Sequence, residues 1–167
     1  MKATHKRLTV ATTAGAAAIA MAVLTPWTAN AGHTNKVLEA SLDGRSEVGP
    51  SPAMAGDPNG RGTAYVFGID GDPTTLCYVL TVDKVSGEIN GAHIHEGGAG
   101  SNGPVVASLA PPGDGNAADC LTEGEPGKFA DGQTVAEILE NPEDYYVNVH
   151  TSRYPGGAVR GQLAAER

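Results

Sequence analysis

The sequence has few basic residues, few aromatic residues and only two cysteines. It contains 11 Lys and Arg against 19 Asp and Glu, so its formal net charge at pH 7 is −8. Binding to nucleic acids depends on basic contacts to phosphates, and this acidic balance therefore excludes nucleic acid as the expected partner. The same negative charge argues against binding to anionic membrane surfaces.

Several catalytic motifs are also missing. The glycine-rich residues 97–104 lack the Gly-Lys-Ser/Thr ending of a phosphate-binding loop. No serine lies in a nucleophile elbow, and no spacing of carboxylates marks the acid–base pair of a glycosidase. These absences favour a non-enzymatic protein that binds an unknown extracellular protein or ligand, or that has a structural role.

The first 31 residues have the pattern of a secretory signal peptide. A basic head (residues 2–7) precedes an uncharged, alanine-rich run (residues 8–24) and an Ala-Asn-Ala sequence at 29–31. We expect cleavage after Ala31, which leaves one domain of residues 32–167. Cleavage removes three of the 11 basic residues and none of the 19 acidic ones, so the net charge falls from −8 to −11. We therefore expect a secreted, extracellular protein whose mature chain is not inserted into a membrane.

The two cysteines are predicted to form a disulfide. Cys77 and Cys120 are an even pair in a chain that we expect to be exported, where thiols become oxidised. Closing a loop of this length stabilises the folded state by about 4 kcal/mol in the chain-entropy model. A metal site built on the two thiolates is the less favoured alternative, because oxidation competes with it.

The arrangement of apolar residues predicts an all-β fold. Short segments with alternating apolar residues are separated by turns rich in Gly and Pro. One short helix is predicted at about 134–140, where Thr134 and Glu137 have the spacing of a capping box. Residues 111–126 are predicted to form a long acidic loop that carries Cys120. The overall prediction is a Greek-key β-sandwich or barrel of about seven to eight antiparallel strands.

Two of the predicted strands bring histidines to one face of the sheet. Side chains alternate between the faces of a strand, so His93 and His95 lie together when Ile94 faces the core. In residues 145–151 the same alternation places His150 on the face that is opposite the core. The two strands therefore predict a cluster of three imidazoles outside the apolar interior.

The last predicted hairpin places two further polar residues near this cluster. If residues 145–151 and 158–163 pair with His150 opposite Ala158, then Asn148 lies opposite Arg160 on the outer face. Both are candidates to support metal ligands from outside the coordination sphere. Two carboxylates of the long acidic loop are further candidates for that role: Asp114 and Asp119.

Two roles for the three histidines remain open. In a structural role, His93 and His95 hydrogen-bond carbonyls of the glycine-rich residues 97–104, and His150 bonds a backbone group at the hairpin corner. In a metal-binding role, His93, His95 and His150 hold copper or zinc, because three neutral imidazoles on rigid strands suit these ions and leave a coordination position open. The first role needs no cofactor.

Four ordered segments together resemble the CHRD (chordin-type) domain. They are residues 91–97 (GAHIHEG), 100–106 (GSNGPVV), 146–151 (YVNVHT) and 157–163 (GAVRGQL). The resemblance runs from about Leu38 to Leu163 and implies an exported β-domain, since many bacterial members are single exported domains. It does not extend to the other parts of chordin and therefore does not imply growth-factor binding.

A second likeness is limited to the strands that carry the histidines. These strands look like the copper-ligand strands of Cu/Zn superoxide dismutases, and Arg160 loosely resembles the anion-guiding arginine of that family. No histidine lies between His95 and His150, so the bridging and zinc ligands have no counterparts. A dismutase-type oxidoreductase is therefore the third function that we consider, after a non-enzymatic module and a copper- or zinc-binding protein.

Overall fold

The regular secondary structure of the described part of the chain is almost entirely antiparallel strand. The computed structural model describes residues 36–49 and 55–166. The predicted signal peptide, residues 1–31, lies outside this part, as does its cleavage point. The elements are β1 (Val37–Asp43), β2 (Arg61–Ile69), β3 (Asp72–Asp83), β4 (Ile89–Glu96), β5 (Val105–Leu109), β6 (Asn116–Thr122), α1 (Val135–Glu140), β7 (Tyr145–Thr151), β8 (Val159–Gln162) and β9 (Ala164–Ala165).

One antiparallel sheet contains all nine strands of residues 36–49 and 55–166. Its order is β5-β4-β7-β8-β1-β2-β3-β6, with β9 paired to β1. Strands that are distant in sequence are neighbours in the sheet, notably β4 with β7 and β3 with β6, as expected for Greek-key connections. The hydroxyl of Tyr78 on β3 accepts a hydrogen bond of 2.7 Å from the backbone N–H of Ala110, just after β5. The sheet is thus nearly closed into a barrel, which confirms the predicted fold class.

The core lies between two halves of this sheet. We call β1, β2, β3 and β6 the open half, and β4, β5, β7 and β8 the covered half. Alternate residues of both halves are fully buried, including Leu80 on β3, Ile94 on β4 and Val149 on β7. The predicted core faces of β4 and β7 are therefore confirmed, and the side chains of the opposite set point outward.

Helix α1 packs on the open half. Thr134 caps it, and the side chain of Glu137 accepts from the backbone N–H of Thr134, which completes the predicted capping box. Val135 and Ile138 are buried, because a helix of six residues is stable only when its apolar side is packed. No helix within residues 36–49 and 55–166 combines the length and apolar character needed to cross a membrane.

The prediction of a single long loop at 111–126 is wrong. Strand β6 lies within it and pairs with β3, and Cys120 lies opposite Cys77 in this pairing. The disulfide between them is present, as predicted. Sequence alternation did not reveal β6 because it is an edge strand whose residues are mostly exposed, so little apolar patterning is required there.

Candidate metal centre

The pairing of β4 with β7 brings the three histidines together on the outer face. In this pairing His93 lies opposite Asn148, His95 opposite Tyr146, and Gly91 opposite His150. The ring centroid of His93 is 5.0 Å from that of His150 and 5.7 Å from that of His95, and the third separation is 6.0 Å. A Cβ atom at Gly91 would stand 3.3 Å from the His93 ring, so the absence of a side chain there leaves room for the imidazoles.

The ring nitrogens of the three histidines converge. One ligand atom from each of His93, His95 and His150 lies within 4.8 Å of the others. In the described residues, this is the one group of three or more His, Cys, Asp or Glu that meets such a geometry. Two nitrogens that each lie about 2 Å from one ion are at most about 4 Å apart, so a bound ion would draw the three rings slightly closer together.

Backbone carbonyls fix the tautomers of two of the rings. Nδ1 of His95 donates to the carbonyl oxygen of Gly103 at 2.9 Å, and Nδ1 of His150 donates to that of Pro155 at 3.0 Å. A carbonyl oxygen only accepts, so each neutral ring keeps its lone pair on Nε2. Both of these Nε2 atoms, and Nδ1 of His93, are buried without a hydrogen-bond partner among the described residues.

Burial keeps two of the rings neutral at physiological pH. Desolvation, together with the neighbouring His150 and His95, lowers the pKa of His93 from 6.5 to about 4. Desolvation also lowers the pKa of His95, with smaller contributions from His150 and Arg160, although the Gly103 hydrogen bond acts in the opposite direction. Neutral imidazole is the form that binds metal ions, so these rings need no deprotonation to act as ligands.

One of the three histidines, His95, contacts the glycine loop, residues 97–104. Gly103 in this loop makes such a close approach to β4 that a Cβ atom there would lie 1.5 Å from the carbonyl oxygen of Glu96. Any side chain at this position would clash with the backbone, so the residue has to be glycine. The same residue supplies the carbonyl that holds His95, so the glycine requirement and the orientation of a candidate ligand are linked.

Arg160 is almost fully buried beneath this loop, with 2% of its surface exposed. Its guanidinium donates to the carbonyl oxygens of Gly98 (3.1 Å) and Ser101 (2.7 Å) and to Oδ1 of Asn102 (3.2 Å). Its Cζ lies 3.4 Å from the ring centroid of Tyr146. These contacts differ from those of an exposed anion-guiding arginine, because the donors are engaged by the protein itself.

Tyr146 links Arg160 to the histidines. Its ring stacks on His95, with 4.8 Å between centroids and 8° between planes, and its hydroxyl accepts from the backbone N–H of Gly103 at 3.3 Å. Tyr146 lies opposite Gln162 in the pairing of β7 with β8. Its contact with a candidate ligand was not predicted.

Glu47 also belongs to this region and was missed from the sequence. Its Oε2 accepts from Nδ2 of Asn148 at 3.3 Å. Cβ atoms at Gly56 and Gly157 would each come within 2.5 Å of the Glu47 side chain, so the carboxyl lies in a space that both glycines leave open. Desolvation raises the pKa of Glu47 to about 7, although Arg160 and the Asn148 hydrogen bond favour the ionised form.

The two carboxylates that were candidates to support the metal ligands lie away from the histidine cluster. Asp119 is on β6, opposite Tyr78 on β3, and forms an ion pair of 3.5 Å with Lys128. Asp114 precedes β6 in the turn next to Val82. Both belong to the open half, so they do not join the histidines. Asn148 and Arg160, in contrast, lie beside each other on β7 and β8 in the predicted register.

Comparison with known families identifies the domain. A family model for the CHRD domain matches residues 38–163. The chain belongs to the CHRD domain family. The matched range of this CHRD domain contains β1 from its second residue onward, all of β2 to β8, both cysteines and the three histidines. A search of curated proteins found no match to the chain.

Proposed function

We propose that this CHRD-domain protein is exported and binds one copper or zinc ion through His93, His95 and His150. Two observations carry the proposal. One ring nitrogen from each histidine lies within 4.8 Å of the others, and each ring has one buried nitrogen with no hydrogen-bond partner among the described residues. In this function the protein binds a metal ion as its ligand and catalyses no reaction.

A purely structural role for the histidines explains fewer of these contacts. Hydrogen bonds to backbone carbonyl oxygens satisfy Nδ1 of His95 and Nδ1 of His150. They leave Nδ1 of His93 and the other two Nε2 atoms unpaired in a buried position, and each such atom costs about 1–3 kcal/mol. One ion would satisfy all three nitrogens together, while the carbonyls orient the rings as in known metal sites.

The donor set favours copper or zinc over harder ions. Calcium and magnesium prefer oxygen ligands, whereas imidazole nitrogens suit copper and zinc. The sequence has no further histidine between His95 and His150 that could bridge a second ion. One ion with an open fourth position is therefore the expected composition.

Two features support export. The N-terminal sequence has the basic head, apolar run and Ala-Asn-Ala pattern of a signal peptide. The disulfide between Cys77 and Cys120 is typical of proteins that fold in oxidising compartments. Mass spectrometry of the protein recovered outside the producing cells should give a first residue of Gly32, and a protein found only inside the cells, with Met1 as its first residue, would contradict export.

Metal titration tests the binding function. The purified protein should take up one equivalent of Zn(II) or of copper in isothermal titration or chelator competition. His95→Ala and His150→Ala should each weaken binding by about 100-fold or more, because even residues outside the coordination sphere contribute 10- to 100-fold. Asp119→Asn, in the open half, is the matched control and should bind like the wild type. Equal affinity for the wild type and the His95→Ala variant would refute the proposal.

A further inference from the structure

The three-histidine cluster provides no negative charge for a bound ion. Its ligands are imidazoles, and no carboxylate or thiolate of the described residues belongs to the group whose ligand atoms converge. An ion that enters a partly buried site of neutral ligands loses hydration without gaining a counter-charge, and this loss grows with the charge of the ion. The charges that surround the cluster therefore affect which ion is preferred.

The buried charge adjacent to the cluster is positive. The strand order β4-β7-β8 places His95 on one side of Tyr146 and Arg160 on the other. The Tyr146 ring is 4.8 Å from the His95 ring and 3.4 Å from the Arg160 guanidinium carbon, so a single aromatic ring links the cation to a candidate ligand. Because Arg160 is buried, water screens its charge only weakly.

Glu47 is the nearby group that could offset this charge, and it does so only in part. Its carboxyl accepts a hydrogen bond from Asn148, and its second oxygen, Oε1, is buried without a hydrogen-bond partner in the described part of the chain. Burial raises the pKa of Glu47 to about 7, so the carboxyl is about half ionised at neutral pH. The site thus combines a permanent buried cation with a partial anion.

We infer that the cluster of His93, His95 and His150 prefers Cu(I) to Cu(II), because the buried Arg160 cation disfavours the additional charge of a divalent ion. This inference rests on the proposed metal binding and names the oxidation state that the site favours. Three nitrogen donors satisfy Cu(I), which is stable with a coordination number of three. Zn(II) and Cu(II) bring one more unit of charge to the same neutral ligands.

Charge variants on the two sides of the site provide the test. The affinities of the full-length protein for Cu(I) and Cu(II) are measured at pH 8 by competition with chelators of known affinity, with ascorbate present for Cu(I). Arg160→Met removes the cation and should reduce the ratio of Cu(I) to Cu(II) affinity by about tenfold, which corresponds to a fall of about 59 mV in reduction potential. Glu47→Gln removes the anion and should raise the ratio, by about threefold or more.

Arg160→Lys separates charge from structure. Lysine keeps the positive charge but lacks the planar group that donates to Gly98, Ser101 and Asn102. If the positive charge causes the preference for Cu(I), the ratio of Cu(I) to Cu(II) affinity for this variant should remain within about threefold of the wild-type value. A fall in the ratio as large as that of Arg160→Met would show that the loop contacts determine the preference, and would overturn the inference.

The remaining outcomes are also decisive. If Arg160→Met does not fold, as judged by circular dichroism, the Glu47→Gln ratio decides: an increase supports the inference, and an unchanged or lower ratio overturns it. Copper or zinc binding with a ratio that neither variant changes would leave the proposed function in place and refute only the preference. Absence of binding for both metals would refute the proposed function itself.

Discussion

The outer faces of the two halves of the sheet differ in what covers them. On the open half, Tyr65 and Val79 lie opposite each other on β2 and β3, and 37% and 41% of their surfaces are exposed. On the covered half, Asn148 and Arg160 occupy equivalent outward positions and are 3% and 2% exposed. Strand alternation is the same in both halves. The difference arises from loops that fold over β4, β7 and β8, which shows that loops can turn an ordinary polar sheet face into a buried site.

The largest effect on stability is expected in the open half. Replacement of both Cys77 and Cys120 by Ser should lower the free energy of unfolding by about 4 kcal/mol, because the unfolded chain regains the freedom of a loop with a sequence separation of 43. Urea denaturation of the oxidised wild type and the double variant measures this change. A loss below about 1 kcal/mol would show that the link between β3 and β6 contributes little.

Truncation of a core side chain should destabilise the protein whether the residue lies in the open half or in the covered half. Leu80→Ala on β3 should destabilise by about 2–4 kcal/mol, and Val149→Ala on β7 by less, since both side chains are fully buried and the smaller one loses fewer atoms. Thermal or urea unfolding gives both values. No loss for Val149→Ala would mean that β7 presents the other face to the core.

The covered half should show a pH dependence of stability that originates at Glu47. Its folded-state pKa of about 7 lies above the ordinary value of 4.5, so between these pH values the folded state holds more protons than the unfolded state. This contribution to stability is present at low pH and is lost as the pH rises through about 7. Glu47→Gln should therefore gain stability relative to the wild type, by less than about 3 kcal/mol, as the pH rises from 4.5 to 8.

Urea unfolding at several pH values measures this relative gain. Glu125→Gln, in an exposed turn after β6, is the control for the removal of a surface carboxyl. Curves for the Glu47 and Glu125 variants that run parallel across the whole range would contradict the assignment of the effect to burial at Glu47.

The smallest effect is expected on the exposed face of the open half. Val79→Thr should change the free energy of unfolding by no more than about 0.5 kcal/mol, because both residues are β-branched and the side chain is 41% exposed. A loss above about 1.5 kcal/mol would indicate that this face is covered in solution, for example by a second molecule, and would remove the contrast between the halves.

The parts of the fold that depend on local patterns could be predicted from the sequence. Strand β7 has the predicted limits, and the β7–β8 hairpin has the predicted register, with Asn148 opposite Arg160. The alternation of apolar residues on both strands restricts the register, because a slip by one residue would turn the buried side chains outward. The convergence of His93, His95 and His150 follows from the same alternation on two paired strands.

The parts that depend on distant contacts could not be predicted. Strand β6 is defined by its partner β3, and its own residues carry little pattern. Glu47 lies in an irregular segment, and only the fold of that segment over Asn148 and Gly157 brings its carboxyl to the site. Arginine is rarely fully buried, so the burial of Arg160 beneath the glycine loop could not be expected from residue type.

The pairing of β4 with β7 determines when the candidate centre can exist. His93 and His150 are separated by 57 positions in the chain, and this non-local contact forms only after a large loop has closed. On the proposed export, an extended chain in transit would present His93 and His95 apart from His150, with weaker affinity for metal than the complete cluster. Ion uptake would therefore follow folding, and the ions available in the compartment where the barrel closes, not those at the site of synthesis, would decide what is bound.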